Sequence, residues 1–249
     1  MDDNFSKIIC KKPLRVYSSY SEDRILDDRN KIIAIRKGGP AFFIGNILDK
    51  HKCAYILKIG SAAVVEIKVK KDEETGRVKN KIRTNEVPLR NSRNAVIIST
   101  IGREWIIRSD KRTNALIFLD IQGYVRDLHH FGRRKYFKAK FLDNIFCLKG
   151  NQEEIRYLPK EVVDKQKRKC LVVTKRRKGS IIYYKGKKFV FVPKLTVKAE
   201  NTIGAGDTFF ACFVLNFLRT KGNIQESGEF ATVETIQFLK SKKRERNAA

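Results

Sequence analysis

Long apolar runs are missing from the 249-residue sequence, and none reaches the roughly 18 residues that a membrane-spanning helix needs. Residues 1–12 have neither an apolar core segment nor a small-residue cleavage site, so no signal peptide is predicted. Two common phosphate-binding signatures, Gly-x-x-x-x-Gly-Lys and Gly-x-Gly-x-x-Gly after a first strand, are also absent. These absences argue against a membrane span and disfavour a generic nucleotide-binding α/β domain.

Cysteine is scarce and is not arranged for disulfides or metal. The five cysteines are odd in number, none is paired at metal-ligand spacing, and most have apolar neighbours. Buried free thiols of this kind are typical of a reducing compartment, so a cytoplasmic protein is expected.

Acidic residues are few: 27 Asp and Glu face 54 Lys and Arg, which gives a formal net charge of +27. Basic residues concentrate at 165–178, at 133–140 and at 240–246. Such clusters either form a solvated basic surface or contact RNA, DNA or anionic lipid, and total charge does not separate these alternatives.

Apolar segments are nevertheless sufficient for a core, since 42% of the residues are hydrophobic. Near-continuous apolar runs separated by helical segments indicate an α/β fold with a mainly parallel sheet covered on both faces. These runs predict strands at 14–19, 95–100, 115–120, 144–148 and 170–174, a hairpin at 180–192, and an apolar helix at 207–218.

The length fits one domain, 1–249, with two appendages. A β-rich stretch at about 52–90 lacks helical periodicity and is predicted to project as a small lid, while 241–249 forms a basic tail. An exposed edge of such a lid can pair with a second copy, so a homodimer through the lid is one expectation.

The strongest chemical signal is Gly204-Ala205-Gly206-Asp207 at the start of the apolar helix. Glycines there let main-chain N–H groups face inward, and with the positive end of the helix dipole these groups make an anion site. A carboxylate beside that site can accept a proton from an attacking hydroxyl. In isolation, the same pattern is also typical of a Gly-rich turn with an Asp cap.

The longer string, from Asn201 to Asp207, resembles the Asp-Thr-x-Gly-Ala-Gly-Asp signature of the ribokinase-like (PfkB) carbohydrate kinases. The resemblance implies a three-layer ribokinase-like domain with a small β lid. It implies that Asp207 is the catalytic base and that Gly204, Ala205 and Gly206 form the anion hole. Asn201 departs from the family's Asp.

Earlier segments agree with this resemblance in order. Gly38 and Gly39 resemble the family's Gly-Gly motif beside the sugar site, and Asp23 takes the place of an acid that binds substrate hydroxyls. Asp23 alone is equally typical of an ordinary turn. Asp120, which begins a string that also resembles the family, is interpreted mainly as a strand end before a tight turn.

Asn151 and Glu154 match the family's Asn-x-x-Glu motif, which implies that they organise Mg²⁺; a helix capping box has nearly the same pattern. Thr174 and Gly179 are expected beside the nucleotide phosphates. Arg176 replaces the Gly of the family's Thr-x-Gly, so it either adds a phosphate contact or obstructs the nucleotide.

Two functions follow as hypotheses. The first is an ATP- and Mg²⁺-dependent phosphotransferase acting on a hydroxyl of a small sugar, polyol or nucleoside. The second is a kinase-derived protein of weak or no activity that binds RNA through its basic surface, and the two are not exclusive.

Overall fold

The fold is built on two sheets, seen in a computed structural model that describes residues 12–70, 73–89, 94–108, 113–131, 133–195, 197 and 202–247. The strands are β1 Leu14–Ser18, β2 Ser21–Leu26, β3 Ile32–Gly38, β4 Tyr55–Ile59, β5 Ala63–Lys70, β6 Glu73–Val78, β7 Asn85–Glu86, β8 Ala95–Ser99, β9 Trp105–Ile106, β10 Leu116–Asp120, β11 Cys147–Asn151, β12 Cys170–Thr174, β13 Ser180–Tyr184 and β14 Lys187–Phe191. The helices are α1 Pro40–Lys50, α2 Gln122–Val125, α3 Gln152–Ile155, α4 Lys160–Arg168, α5 Ala205–Arg219 and α6 Ile224–Asn247.

The large central sheet has eight strands in the described part of the chain, in the order β14-β13-β12-β11-β10-β8-β1-β4. The pairs from β12 to β4 are all parallel, and the β13–β14 hairpin is antiparallel at one edge. The predicted mainly parallel sheet is therefore confirmed.

Both faces of this sheet are covered, because successive strand residues point in opposite directions. In β8, Ile97 packs with α1 and α5 on one side, while Val96 and Ile98 pack with Tyr124 on the other. Ten of the eleven residues from Asp207 to Phe217 in helix α5 are buried, which explains its apolar sequence. The result is the three-layer α/β architecture that the sequence predicts.

A second sheet forms the lid, in the strand order β3-β2-β5-β6. Its own small core contains Ala63, Val65 and Ile67, which pack with Ile101 and Phe131 of the main body. These bounds differ from the predicted 52–90: β2 and β3 come from residues 21–38, and β4 pairs with β1 in the central sheet instead. The alternation of apolar and polar residues identifies a half-buried strand but not the sheet that it joins.

Strand β3 is an edge of the lid, and its apolar side chains are exposed: Ile33 is 65% and Ile35 is 60% accessible. They stand two residues apart, so they lie on one face. A homodimer through this lid stays a prediction.

Two segments of mostly polar sequence form strands of the lid. In β2, pairing with β3 and β5 outweighs the polar character of Ser21 to Arg24. The polar segment Glu73–Val78 forms β6, and residues 71 and 72 lie outside the described residues. Residues 241–247 of the predicted basic tail continue helix α6 to Asn247.

Among the described residues, no helix is long and apolar enough to cross a membrane. Cys147, Cys170 and Cys212 are buried free thiols, as predicted, while Cys53 is half-buried and Cys10 lies outside the described residues.

Candidate functional site

The predicted site residues gather at one edge of the central sheet. Strands β1, β8, β10, β11 and β12 run parallel, so their carboxyl ends meet there, and helix α5 begins beside them. In open α/β sheets this edge is where ligands bind.

The main-chain cradle begins at Gly204, which caps α5 in the left-handed conformation with φ 83°. A Cβ at this position would stand 2.3 Å from the Phe43 ring, so glycine is required both by the backbone conformation and by the lack of space for a side chain. The N–H of Ala205 donates to Thr202 O at 3.0 Å. Within the described residues the N–H groups of Gly206 and Asp207 have no backbone acceptor, so they are the amides free to hold an anion.

Asp207 stands in the first turn of α5 and is 9% exposed. Its Oδ1 accepts a hydrogen bond from Ser99 Oγ at 3.3 Å. Burial raises the pKa of Asp207 to about 7; the nearby charges of Lys149 and Arg126 oppose that rise, and Asp120 adds to it. A carboxylate with a pKa near neutrality suits a general base.

A buried ion pair lies beside Asp207. Lys149 Nζ donates to Asp120 Oδ2 at 2.7 Å, and Ser99 Oγ is 3.4 Å from the same oxygen. Asp120 Oδ1 also accepts from Gln122 N at 3.1 Å, so the interpretation of Asp120 as a turn residue holds but is incomplete. Sequence reasoning missed Lys149, although a lysine inside the apolar strand 147–151 was a usable signal.

On the lid side, Asp23 belongs to strand β2 and not to a turn. Its carboxyl packs against Gly38, where a Cβ would stand 2.0 Å from Asp23 Oδ2, and Oδ1 accepts from Ser21 Oγ at 2.5 Å. Burial raises the pKa of Asp23, and Lys242 and Arg126 are close enough to oppose this. The structure thus brings Asp23 and Gly38 together.

Gly39 has φ 83°, and a Cβ there would stand 2.6 Å from Ser19 O. This close approach joins the end of the lid strand β3 to α1, whose Ala41 N donates to the same Ser19 O at 3.0 Å. Gly38 and Gly39 therefore lie at the junction between the lid and the central sheet.

Asn151 and Glu154 form a complete capping box. Asn151 Oδ1 accepts from the N–H groups of Glu153 and Glu154, and Glu154 Oε2 accepts from Asn151 N at 2.8 Å. The Asn151 side-chain oxygen is thus already used, while the buried Glu154 lines a cavity. One carboxylate fits a hydrated Mg²⁺, which keeps several waters and binds substrate phosphates. No group of three or more metal-binding side chains occurs in the described residues.

A cavity of about 540 Å³ opens between the cradle, the end of β12 and helix α6. Thr174, Gly179 and the cradle residues all line it. Arg176 lines it too, yet its guanidinium points toward Glu153 Oε1 at 3.7 Å and is 61% exposed, so space for a ligand remains. Asn201 lies outside the described residues.

The cavity walls combine charge with apolar surface. Seven basic residues face three acidic ones, and the basic residues are Arg126, Arg134, Lys149, Lys175, Arg176, Arg177 and Lys178. Leu195, Val197, Ile236 and Leu239 form an apolar wall. This combination suits a ligand that has both phosphates and a flat apolar ring.

Residues 138–233 match the model of the pfkB family carbohydrate kinases. No curated protein matches the chain in sequence. The family match includes the strand of Lys149, the Asn151–Glu154 motif and the cradle, so the resemblance deduced from these motifs is confirmed.

Solved structures of similar fold include a pyrophosphate-dependent kinase in the ribokinase family, complexed with a pyrophosphate analog and myo-inositol (TM-score 0.66, 16% identity, 89% of this chain and 93% of that chain). Ribokinase from Thermotoga maritima is also similar (TM-score 0.59, 16% identity, 90% and 91%). A nucleoside kinase from Methanocaldococcus jannaschii follows the same fold (TM-score 0.56, 14% identity, 90% and 91%). The ribokinase-like fold class is thereby confirmed.

Proposed function

Because the chain has the ribokinase-like fold and a pfkB match through its cradle, we propose that it is a phosphotransferase acting on a hydroxyl of a small sugar, polyol or nucleoside. The observation that carries this proposal is the position of Asp207. This single residue supplies a buried carboxylate and one free main-chain N–H to the basic cavity of about 540 Å³.

In the proposed reaction the acceptor lies between the lid and the cradle, near Asp23, Gly38 and Gly39. Asp207 takes the proton of the acceptor hydroxyl as its oxygen attacks phosphorus. The N–H groups of Gly206 and Asp207 hold the phosphoryl oxygens as negative charge redistributes. Closure of the lid excludes water and limits hydrolysis of the donor.

ATP is the proposed donor because the cavity has an apolar wall for a base as well as basic residues for the phosphates. Thr174 and Gly179 line the cavity together with the basic residues, which supports their proposed role beside the donor phosphates. Mg²⁺ would neutralise charge on the donor phosphates, and Glu154, which lines the cavity, would hold its water shell. The basic residues also admit pyrophosphate, the donor of one structural neighbour, as a second candidate.

The deciding experiment is a panel of sugars, inositols and nucleosides with either ATP–Mg²⁺ or pyrophosphate–Mg²⁺ as donor. Donor consumption that requires one acceptor class is the expected result. Wild-type protein with no acceptor-dependent transfer from either donor would overturn the proposal.

The pH dependence of kcat/KM tests the role of Asp207 directly. Because the pKa of this carboxyl is raised to about 7 and only its ionised form accepts a proton, kcat/KM should rise with pH below 7 and level off above it. A profile measured from pH 5 to 9 with saturating donor checks this. A flat profile across pH 6 to 8 contradicts it.

RNA binding is the second candidate function, and the exposed basic residues favour it. Arg176, Arg177 and Lys178 are exposed near the mouth of the cavity, and Arg133, Lys135, Lys138 and Lys140 are exposed in the second basic cluster. A kinase of small metabolites has no need of such a surface.

Binding through these residues should weaken steeply with salt, because each phosphate contact releases counterions. For about five contacts with single-stranded RNA, affinity should fall by about 3.5 decades for each tenfold rise in salt. Fluorescence anisotropy with a labelled single-stranded RNA at 50 to 300 mM salt measures this slope. An affinity that hardly changes over this range argues against the candidate.

A further inference from the structure

A lysine is buried where phosphoryl transfer is proposed to occur. The Lys149 side chain is 4% exposed, and its Nζ is 2.7 Å from Asp120 Oδ2. A Cβ placed on Gly206 would stand 3.3 Å from the same Nζ. The ammonium therefore lies against the cradle, and Lys149 lines the same cavity as Gly206 and Asp207.

This arrangement is poorly explained by stability alone. Burying an ammonium and a carboxylate costs several kcal/mol per ion, and a pair replaced by apolar side chains is often as stable. Neighbouring positions of the strand, Cys147 and Leu148, are apolar and fully buried, so this layer of the fold accepts uncharged side chains. A charge kept here points to a ligand that needs it.

The Lys149 ammonium also has N–H donors left for a ligand. It has three N–H donors, of which Asp120 takes one in the described contacts. Burial alone would lower the pKa of Lys149, but the charges of Asp120, Glu154 and Asp207 raise it above its ordinary value. The group thus remains a cation in the pH range of the reaction.

Resting on the proposed phosphotransferase function, we propose that Lys149 is a further catalytic residue that contacts the phosphoryl group during transfer, and that Asp120 is its positioning residue. The acceptor oxygen forms a bond to phosphorus, and the bond from phosphorus to the donor's bridging oxygen breaks. The electron pair of that bond goes to the leaving oxygen, and the acceptor proton goes to Asp207. Lys149 stays protonated throughout and offsets negative charge on the moving group.

Asp120, which binds this ammonium, is itself held by a hydrogen bond from the main chain. Its Oδ1 is fixed by the N–H of Gln122, so Oδ2 is presented to Lys149 and Ser99 in one orientation. The same Ser99 Oγ lies 3.3 Å from Asp207 Oδ1, so its single proton can be donated to one carboxylate or the other. Ser99 therefore lies between the carboxylates of Asp207 and Asp120, and Lys149 binds the Asp120 carboxylate.

The test replaces both charges at once, in Lys149→Met with Asp120→Asn, so that no lone buried charge is left. Single-turnover transfer with the donor and acceptor found in the panel should slow by about 10²-fold or more, the usual cost of one such contact. Binding of ADP with aluminium fluoride, which mimics the transferring phosphoryl group, should weaken by a similar factor. Binding of ADP alone should change less than about threefold, because the ADP ground state lacks the moving group.

The matched control removes a partly buried ion pair at the far end of α1, Lys50 Nζ to Glu234 Oε2 at 2.6 Å. Lys50→Met with Glu234→Gln should leave transfer unchanged. If the Lys149 double variant loses its wild-type circular dichroism, Lys149→Gln with Asp120→Asn replaces it, since the two amides can hydrogen-bond to each other without charge.

Transfer and aluminium fluoride binding within about threefold of wild type would overturn the role of Lys149, as would equal weakening of ADP with and without aluminium fluoride. Failure of the proposed function would give a different experimental result. In that case wild-type protein shows no acceptor-dependent transfer at all, and the inference falls with it.

Discussion

Asp207→Asn is expected to lower turnover by about 10²- to 10⁴-fold, the range that removal of a general base produces. Asparagine retains an oxygen that can accept from Ser99, so the local packing is kept while proton acceptance is lost. Turnover measured with the acceptor identified in the panel checks this. Turnover within threefold of wild type would reject Asp207 as the base.

The same variant should be more stable than wild type at high pH. Because folding raises the pKa of Asp207 from 3.8 to about 7, ionisation of this group costs stability progressively from pH 4 to 7 and fully above pH 7. The Asn variant should therefore gain at least about 1 kcal/mol at pH 8 and little at pH 4, given about 1.4 kcal/mol per pKa unit.

Thermal unfolding at both pH values measures this gain. Asp143→Asn is the control, since Asp143 is exposed in its ion pair with Lys165. A loss of stability in Asp207→Asn at pH 8 would contradict the prediction and would indicate that the carboxylate is held mainly for its attraction to Lys149.

Gly204→Ala is the second large effect and should lower turnover by about 100-fold or more, the cost of misplacing reacting groups by about 1 Å. Two physical causes act together. The left-handed backbone costs a residue with a Cβ about 1–2 kcal/mol, and the added carbon would stand 2.3 Å from the Phe43 ring. Either the cradle or Phe43 must therefore move.

Gly186→Ala is a close control for this change. Gly186 has φ 79°, but a Cβ there would meet nothing within 4 Å, so it reports backbone strain without the collision. This variant should lose about 1 kcal/mol of stability and retain full turnover. Steady-state kinetics and melting of the two variants side by side separate strain from displacement. Equal turnover in both variants would show that the cradle geometry is unimportant.

The central sheet and the cradle could be predicted from the sequence because their signals are local. A buried parallel strand is a continuous apolar run, as in 95–99 and 170–174, and the cradle requires glycines next to Asp207. Such patterns need no knowledge of which elements meet. The hairpin strands at 180–184 and 187–191 could also be predicted, because Lys185 and Gly186 between them indicate a turn.

The lid and the ion pair could not be predicted in the same way because they depend on distant partners. Whether strand 55–59 joins the lid or the central sheet is decided by its pairing with β1, some forty residues away. Likewise, Asp120 looks like a turn residue until Lys149 is placed beside it by the pairing of β10 with β11. The spacing of residues along the sequence does not indicate which distant strands come into contact.

The chain crosses between the central sheet and the lid through very short connections, with two residues from Ser18 to Ser21 and one from Gly38 to Pro40. Residues that would select the acceptor thus precede position 90, whereas the cradle, its base and its cation all follow position 95. In evolution the two halves of the chain can then diverge at different rates. Under the proposed function, a new alcohol specificity can arise from substitutions early in the chain, with the residues proposed for phosphoryl transfer left unchanged.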